Sequence, residues 1–226
     1  MEQINQRDAG PAAWVTATHE ALLSDGLQAI SIAKLARKLG VSRGAFYWHF
    51  ENREALVQRA LPGFAENAIP AKLKQLETLG PDTGMLALLD HAYLPDDGDR
   101  IAQRHLQVLE DWASQDMSAR KAFSSVVLKR VKIIRQFLHK AGIPYSEARI
   151  RAQTLDRLLF APREHQDKPD RASYATDLEY LYWLHFGHNA APGVLSRHVN
   201  RTLPARQSSN PELAKCDVQQ LALRSR

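Results

Sequence analysis

Apolar residues recur along the chain at the three- and four-residue spacing of α-helices. In the segment that follows Ser31, Ile32, Leu35, Ala36 and Leu39 fall at i, i+3, i+4 and i+7, which places them on one helix face. No segment alternates convincingly between apolar and polar residues in the manner of a β-strand, and we see no internal repeat. The sequence therefore predicts an all-α protein.

Capping residues predict where the first four helices begin and end. Gly26 follows the first periodic segment and predicts its end. Ser31 is a good N-cap residue for the second helix, and Gly40 can end that helix in the left-handed backbone conformation. Ser42 is placed to cap a third helix only two residues later, and Asn52 to cap a fourth.

Three prolines interrupt the pattern beyond this point, at positions 62, 70 and 81, so we expect the linking helix to be kinked or broken there. Further helices are predicted at Thr83–Tyr93, Asp99–Ser114, Ser118–Ala141, Ser146–Phe160 and Ser173–Phe186. From about residue 189 onward Pro, Ser, Asn and Arg dominate. This composition predicts a disordered basic tail, with a short helix near Leu213–Leu223.

Composition narrows the class of protein. The 226 residues are 44% hydrophobic and 24% charged, as in ordinary globular proteins. No apolar run is long enough to cross a bilayer, and Met1–Gly10 contains no apolar signal-peptide core, so we expect a cytoplasmic protein without membrane contact. The one cysteine, Cys216, excludes an internal disulfide and a cysteine-clustered zinc site. A net charge of +5 favours an anionic partner.

Residues 31–49 have the layout of a helix-turn-helix, because they encode two short helices separated by a turn that contains Gly40. In such a module the first residues of the second helix enter the major groove of DNA. The surrounding charge agrees with that role, since the segment from Ser31 to Arg59 contains six basic residues and only two acidic ones. The basic residues are Lys34, Arg37, Lys38, Arg43, Arg53 and Arg59.

The run from Gly26 to Leu56 resembles the DNA-binding domain of the TetR family of regulators. The matching residues are Gly26, Ile30, Ile32, Leu35, Ala36, Leu39, Gly40, Val41, Ser42, Gly44, Tyr47, His49, Phe50, Asn52, Arg53, Glu54 and Leu56. Within this run, the segment Arg43–Asn52 is particularly similar to the efflux-pump repressors of AcrR type. Arg53, where the family usually has lysine, and Pro62 in the linking helix depart from the pattern.

The resemblance implies a three-helix DNA-binding domain over residues 1–55 and a larger helical ligand-binding and dimerisation bundle over residues 56–188, followed by the tail at 189–226. It implies a homodimer whose interface is formed mainly by Ser146–Phe160 and Ser173–Phe186. The expected partners are a palindromic double-stranded operator and a small-molecule effector. The expected function is ligand-responsive repression of efflux or detoxification genes.

Residue chemistry assigns roles within the predicted DNA-binding site. The Arg43 guanidinium can donate two hydrogen bonds to guanine, and a thymine methyl is a suitable partner for Ala45. Gly44 lets the backbone approach DNA closely. Ser42 bonds either its own helix or a phosphate, and Trp48 contacts either DNA or a neighbouring helix.

Contacts to the phosphate backbone complete the predicted site. The family resemblance implies that Tyr47 and His49 contact phosphate, and that Arg53 does so from the start of the next helix. Lys34 and Lys38 lie on the exposed side of the supporting helix and add charge attraction, unless they are simply a solvated face. Such contacts position the protein, whereas base contacts specify the DNA sequence.

Two helical faces supply candidate effector-binding residues. His105, Leu109 and Trp112 share one face, and Phe123, Val127 and Arg130 share another, so both sets suit either a pocket or an ordinary helical core. No histidine pair has the partners of a metal site, and neither a phosphate-binding glycine loop nor a nucleophile elbow occurs. We therefore expect no metal, no cofactor and no enzymatic activity. A ligand-independent DNA-binding protein and a helical scaffold with a vestigial motif are the alternatives.

Overall fold

Helices account for almost all of the chain that the computed structural model describes, which is residues 9–160 and 170–203. Eleven α-helices and two single 3₁₀ turns, Leu27–Ala29 and Leu76–Thr78, occur in these residues, with no β-strand. The helices are α1 Pro11–Asp25, α2 Ile32–Leu39, α3 Arg43–Tyr47, α4 Arg53–Asn67, α5 Ala71–Gln75, α6 Pro81–Tyr93, α7 Asp97–Ala113, α8 Met117–Lys140, α9 Tyr145–Phe160, α10 Arg171–Phe186 and α11 Val194–Thr202. The predicted all-α class is confirmed.

Ser42 and Asn52 cap their helices as predicted, whereas Ser31 precedes α2 without a side-chain capping hydrogen bond. The Ser42 hydroxyl accepts a hydrogen bond from the Ala45 backbone N–H at 3.3 Å, so it serves its own helix. The Asn52 side chain accepts one from the backbone N–H three residues later at 2.8 Å. Gly40 ends α2 with φ 69° and ψ 25°, a left-handed conformation that side chains with a Cβ rarely adopt.

Two of the three prolines interrupt the helical pattern as predicted, and one does not. Pro70 precedes α5, and Pro81 is the first residue of α6. The first backbone N–H groups of a helix have no acceptor within the helix, so a proline at this position loses no hydrogen bond. Pro62 lies inside α4 without interrupting it. Buried apolar side chains on both sides, including Leu61 and Phe64, hold α4 through packing, so the helix is not broken there, and a kink at Pro62 stays a prediction.

The described residues fall into two compact units, within 1–166 and 167–226. In the first unit α8 and α9 form a hairpin across Gly142, α7 packs on α8, and α4 packs on α1, α7 and α8. Residue 55, where we place the domain boundary, lies inside α4, so that boundary stays a prediction. None of the described helices is both long and apolar enough to cross a membrane.

The second unit contains α10 and α11, which pack on each other. The Tyr174 hydroxyl of α10 lies 3.3 Å from His198 Nε2 of α11. Because α11 is a regular helix in which His198 and Val199 are buried, the prediction of disorder from residue 189 onward was wrong at Val194–Thr202. The helix is short and mostly polar, which hid it in the sequence. The predicted helix near 213–223 lies outside the described residues.

Candidate nucleic-acid interface

A cluster of buried aromatic rings supports α3 from within the first unit. Trp14 and Phe46 meet edge to face with ring centroids 5.2 Å apart, and Phe46 stacks on Phe50 at 5.5 Å. Trp14 is fully buried and its indole N–H donates to the Ala9 carbonyl at 3.1 Å. Such rings bury large apolar areas, so they fix the position of a helix that is only five residues long.

The outward side of α3 and its flanks forms an exposed surface, which we call the recognition surface. It comprises seven predicted residues, all exposed: Lys34, Ser42, Arg43, Gly44, Tyr47, Trp48 and His49. The Trp48 side chain is 85% exposed and that of Tyr47 61%. Of the two interpretations of Trp48, packing on a neighbouring helix is therefore wrong.

Ala45 does not belong to this surface. Its side chain is only 6% exposed and lies on the same inward face as Phe46 and Phe50, because the 3.6-residue period turns positions 45, 46 and 50 toward the core. Positions 43, 44, 47 and 48 point outward instead. The expectation that the Ala45 methyl meets a thymine is thereby corrected.

Arg53 is engaged inside the protein. Its Nε donates to the Ile30 carbonyl at 2.8 Å and its Nη2 to the Leu27 carbonyl at 3.0 Å, so the side chain braces the start of α4 against the segment before α2. The structure therefore supports a bracing role for Arg53 in place of the predicted phosphate contact. One sequence signal could have indicated that Arg53 has a structural partner: a cation in the first turn of a helix interacts unfavourably with the helix dipole.

The charge around the recognition surface is mostly positive. Lys38 pairs with Glu20 of α1 at 2.6 Å. Lys34, Arg37 and Arg43 are exposed and have no acidic partner among the residues that the structure describes. Arg37 was missed by the site prediction, although its position beside Lys38 in the basic run was visible. These unneutralised cations favour an anionic partner.

The six predicted effector residues are mostly packed into the helical core. His105, Leu109, Trp112 and Arg130 are buried, whereas Phe123 and Val127 are half-buried. The cavities in the described residues include a small one beside α5, α6 and the end of α9, and a shallow one where α8 ends. None of the six lines either cavity, so the alternative of ordinary helical core describes this set better.

His105 shows how the predicted set is used in packing. Its ring lies against Phe64 of α4 with centroids 4.7 Å apart, and its Nδ1 is 2.8 Å from the Ile101 carbonyl. Burial lowers the pKa of the His105 imidazole, because the charged form is poorly solvated there. The neutral ring is therefore part of the contact between α7 and α4.

A buried polar network that the sequence analysis missed lies beside the small cavity. Asp99 Oδ2 is 2.6 Å from Lys72 Nζ, and Asp99 Oδ1 is 2.9 Å from His91 Nδ1. Burial by itself would raise the pKa of the Asp99 carboxyl, but the hydrogen bonds from His91 and Lys72 outweigh it and lower the pKa to about 2. Asp99 also forms a reciprocal capping box with Asp96 at the start of α7.

A second buried pair joins α8 to α9. Arg130 Nε and Nη2 donate to the two carboxylate oxygens of Asp156 at 2.8 and 3.1 Å. Both side chains are nearly inaccessible to solvent, so each charge depends on the other for compensation.

Comparison with known proteins agrees with the geometry of α1–α4. Residues 15–60 match the family model described as bacterial regulatory proteins, tetR family. Residues 15–60 are therefore the part of the chain that resembles the TetR family. The match begins in α1 and ends in α4, so it includes the helix-turn-helix and the brace made by Arg53.

The chain is similar to named transcriptional regulators over its N-terminal part. It is 31% identical over 85 residues to the HTH-type transcriptional regulator SrpR of Pseudomonas putida, a match that covers 36% of this chain and 38% of SrpR. The HTH-type transcriptional regulator TtgR of Pseudomonas putida is 38% identical over 52 residues, or 23% of this chain and 25% of TtgR. These matches span well under two thirds of either relative.

Solved structures extend the likeness to the whole fold. SCO7518 from Streptomyces coelicolor A3(2) superposes with a TM-score of 0.55 at 18% identity, covering 81% of this chain and 100% of that protein. A transcriptional regulator from Rhodococcus sp. Rha1 gives a TM-score of 0.51 at 18% identity, covering 78% and 94%. At this identity the likeness shows that the chain shares their fold.

Proposed function

We propose that this chain is a sequence-specific DNA-binding transcriptional regulator that contacts DNA through the recognition surface. The observation that supports this most strongly is the exposure of Arg43, Tyr47 and Trp48 on a helix whose inward side is locked by buried rings. Large exposed aromatic side chains beside unpaired cations contribute little to folding, and they suit a polyanion that presents both phosphates and apolar base edges.

Five side chains of the recognition surface have proposed roles in binding DNA. Arg43 reads guanine through two parallel hydrogen bonds in the major groove. Tyr47, His49, Lys34 and the Ser42 hydroxyl contact phosphate, since the Ser42 oxygen already accepts a bond from its own helix and keeps its proton to donate.

Glycine at position 44 is explained by close approach to DNA. A Cβ added to Gly44 would lie 3.6 Å from the Ser42 Oγ, which is an ordinary contact, so the fold itself does not require glycine there. Glycine in a helix costs about 0.5–1 kcal/mol relative to alanine, and the fold gains nothing visible in return. A bare backbone at the centre of the recognition surface allows the shortest distance to a base pair.

The proposed homodimer uses exposed apolar side chains of α9 and α10. On α10, in the second unit, Tyr180, Trp183 and Leu184 are 72%, 53% and 54% exposed. On α9, in the first unit, Ile150 is 57% exposed. Three large apolar side chains of one helix rarely stay exposed without a partner. A two-fold dimer would place two copies of α3 roughly 34–36 Å apart, which matches successive turns of a palindromic operator.

Ligand-responsive repression is the proposed regulation, and α4 is the proposed route of coupling. Phe64 of α4 lies between His19 of α1, at 5.4 Å, and His105 of α7, at 4.7 Å. Arg104 of α7 also donates to the Leu23 carbonyl at the end of α1, at 3.3 Å. An effector that binds one arrangement of these helices better than another shifts the population of the DNA-binding state. We propose efflux or detoxification genes as the targets.

Ligand-independent DNA binding is the second candidate function. It is favoured by one observation, the small size of the cavity beside α5, α6 and the end of α9. The two candidates differ in whether a small molecule changes the affinity for DNA.

The proposed function is tested by fluorescence anisotropy with DNA taken from upstream of the gene for this protein, at several salt concentrations. We expect tight, salt-sensitive binding that exceeds binding to a shuffled duplex. Arg43→Ala should weaken specific binding by roughly tenfold to a hundredfold, the value of one bidentate base contact. Lys121→Ala is the matched control, because Lys121 is an exposed cation on α8, away from α3.

Equal losses in both variants would show that only overall charge matters, and equal affinity for native and shuffled DNA would contradict sequence-specific regulation at this site. Dimerisation is tested by sedimentation. Trp183→Glu should yield monomers, whereas Ile101→Glu, which alters an exposed apolar residue of α7, should not.

A further inference from the structure

An aromatic ring of the protein occupies a slot between two buried side chains of the first unit. The Phe160 ring at the end of α9 has the Arg130 Cζ 3.9 Å from its centroid and the His91 ring centroid at 4.9 Å. Arg130 and His91 are only 3% and 8% exposed, whereas Phe160 is half-buried. Phe160 is therefore the accessible member of a stack whose other members are covered.

The Arg130 guanidinium retains an unused donor in this slot. Its Nε and Nη2 are bonded to Asp156, but Nη1 is shielded from solvent and has no hydrogen-bond acceptor among the described residues. Buried donors in native proteins nearly always have a partner, so each exception requires an explanation. An acceptor that arrives with a ligand would supply the missing partner.

The small cavity adjoins the same ring. Lys72, Leu73, Leu88, His91 and Phe160 contribute to its walls. The open space holds no more than about one water molecule. A larger ligand must therefore move the Phe160 ring, and the volume that the ring vacates joins the cavity to the slot beneath Arg130.

The geometry points to an effector site that takes a neutral aromatic compound carrying a hydrogen-bond acceptor oxygen. Its ring replaces that of Phe160 between Arg130 and His91, and its oxygen accepts from Arg130 Nη1. This inference rests on the proposed ligand-responsive function and names the chemical class of the effector.

The surrounding charges disfavour an anionic compound. Asp156 already compensates Arg130, and Lys72 lies 2.6 Å from Asp99 and 2.9 Å from Asp96. Three carboxylates thus accompany two permanent cations at this site. An anionic ligand would meet their repulsion in a region of low dielectric constant.

The test uses three probes of similar size: acetophenone, which has an acceptor oxygen, ethylbenzene, which has none, and the anion benzoate. Binding to the full chain is measured by titration calorimetry, without DNA. Acetophenone should bind Phe160→Ala at least tenfold more tightly than the wild type, because the native ring no longer competes. In the same variant ethylbenzene should bind about tenfold more weakly than acetophenone, since it makes no hydrogen bond to a charged donor, and benzoate should bind most weakly.

Two further variants distinguish probe binding at this site from binding caused by a general loosening of the fold. Phe123→Ala removes a half-buried phenyl ring elsewhere on α8 and should leave acetophenone affinity at the wild-type value. Arg130→Lys, combined with Phe160→Ala, keeps a cation opposite Asp156 but removes Nη1, so the preference for acetophenone over ethylbenzene should disappear. Phe160→Leu gives an intermediate affinity and serves in place of Phe160→Ala if that variant does not unfold cooperatively.

Equal affinities for acetophenone and ethylbenzene in the Phe160 variants, no binding at all, or tightest binding of benzoate would each overturn the inference. Because the titration contains no DNA, its failure beside intact operator binding rejects only this site. Tight probe binding that leaves operator affinity unchanged would instead reject ligand-responsive regulation.

Discussion

The recognition surface and the interior formed by α6–α9 differ in whether the side chains proposed for function also hold the fold together. Around α3, the side chains proposed for function, such as Arg43 and Trp48, are exposed, and different residues, such as Trp14 and Phe46, hold the fold. In the interior, Arg130 and Asp99 are buried and are themselves structural contacts. Substitutions at the recognition surface should therefore separate function from stability, whereas substitutions in the interior should change both.

The largest expected effect comes from breaking the buried pair between α8 and α9. Asp156→Ala leaves the Arg130 charge buried without compensation, and we expect the free energy of unfolding to fall by about 3–5 kcal/mol. Urea denaturation measures this loss. The double variant Arg130→Met with Asp156→Leu should recover most of the stability, because both charges are gone. A loss below about 1 kcal/mol would mean that water reaches the pair.

A smaller loss is expected where α6 crosses α8. A methyl group added at Gly84 would lie 2.7 Å from Phe137 Cζ, which is well inside contact distance. Gly84→Ala should therefore cost about 3 kcal/mol, the upper end for overpacking, as measured by thermal or urea unfolding. Gly44→Ala is the matched control and should leave the protein as stable or up to about 1 kcal/mol more stable. Equal behaviour of the two variants would contradict the close approach of these helices.

The Asp99 network predicts a pH dependence of stability. Because the pKa of Asp99 falls from 3.8 to about 2 on folding, its stabilisation is fully present above pH 4 and is lost as the pH falls through about 2. We expect the wild type to exceed Asp99→Asn by about 2 kcal/mol at pH 6, with the gap closing toward pH 2. Urea denaturation at a series of pH values measures the gap. A gap that does not change with pH would contradict the ionic role of Asp99.

The smallest effect tests the corrected role of Arg53. Arg53→Lys keeps the charge but loses the fork that reaches two carbonyls, so the free energy of unfolding should fall by about 1 kcal/mol. Arg43→Ala, by contrast, should change stability by no more than about 0.5 kcal/mol. Denaturation of both variants beside their DNA affinities compares the two arginines. An unchanged stability in Arg53→Lys would restore the phosphate contact as its main role.

Sequence alone predicted the helical fold well, because helix periodicity and capping are local. The helix from Ser146 to Phe160 was predicted to within one residue of α9, and Gly40, Ser42 and Asn52 end or cap helices as expected. The two short helices α5 and α11 were missed, since five and nine residues give little periodic signal.

The candidate site was less predictable, because the use of a side chain depends on neighbours that are distant in the sequence. Arg53 appears in sequence as one more cation of a basic run, but its acceptors lie 23 and 26 residues earlier. In the sequence Asp99 is only the first residue of a predicted helix, because its partner Lys72 lies 27 residues away. Ala45 could have been excluded by the helical period alone.

The brace made by Arg53 has a consequence for protein engineering. Arg53, the first residue of α4, donates hydrogen bonds to the carbonyls of Leu27 and Ile30. The start of α4 should therefore be transferred together with the helix-turn-helix when this module is moved into another protein. A chimera that joins a foreign sensor directly after α3 would discard this brace, whereas a junction within α4 beyond Leu56 retains it. Exchange of operator specificity between regulators of this fold should therefore succeed more often with the later junction.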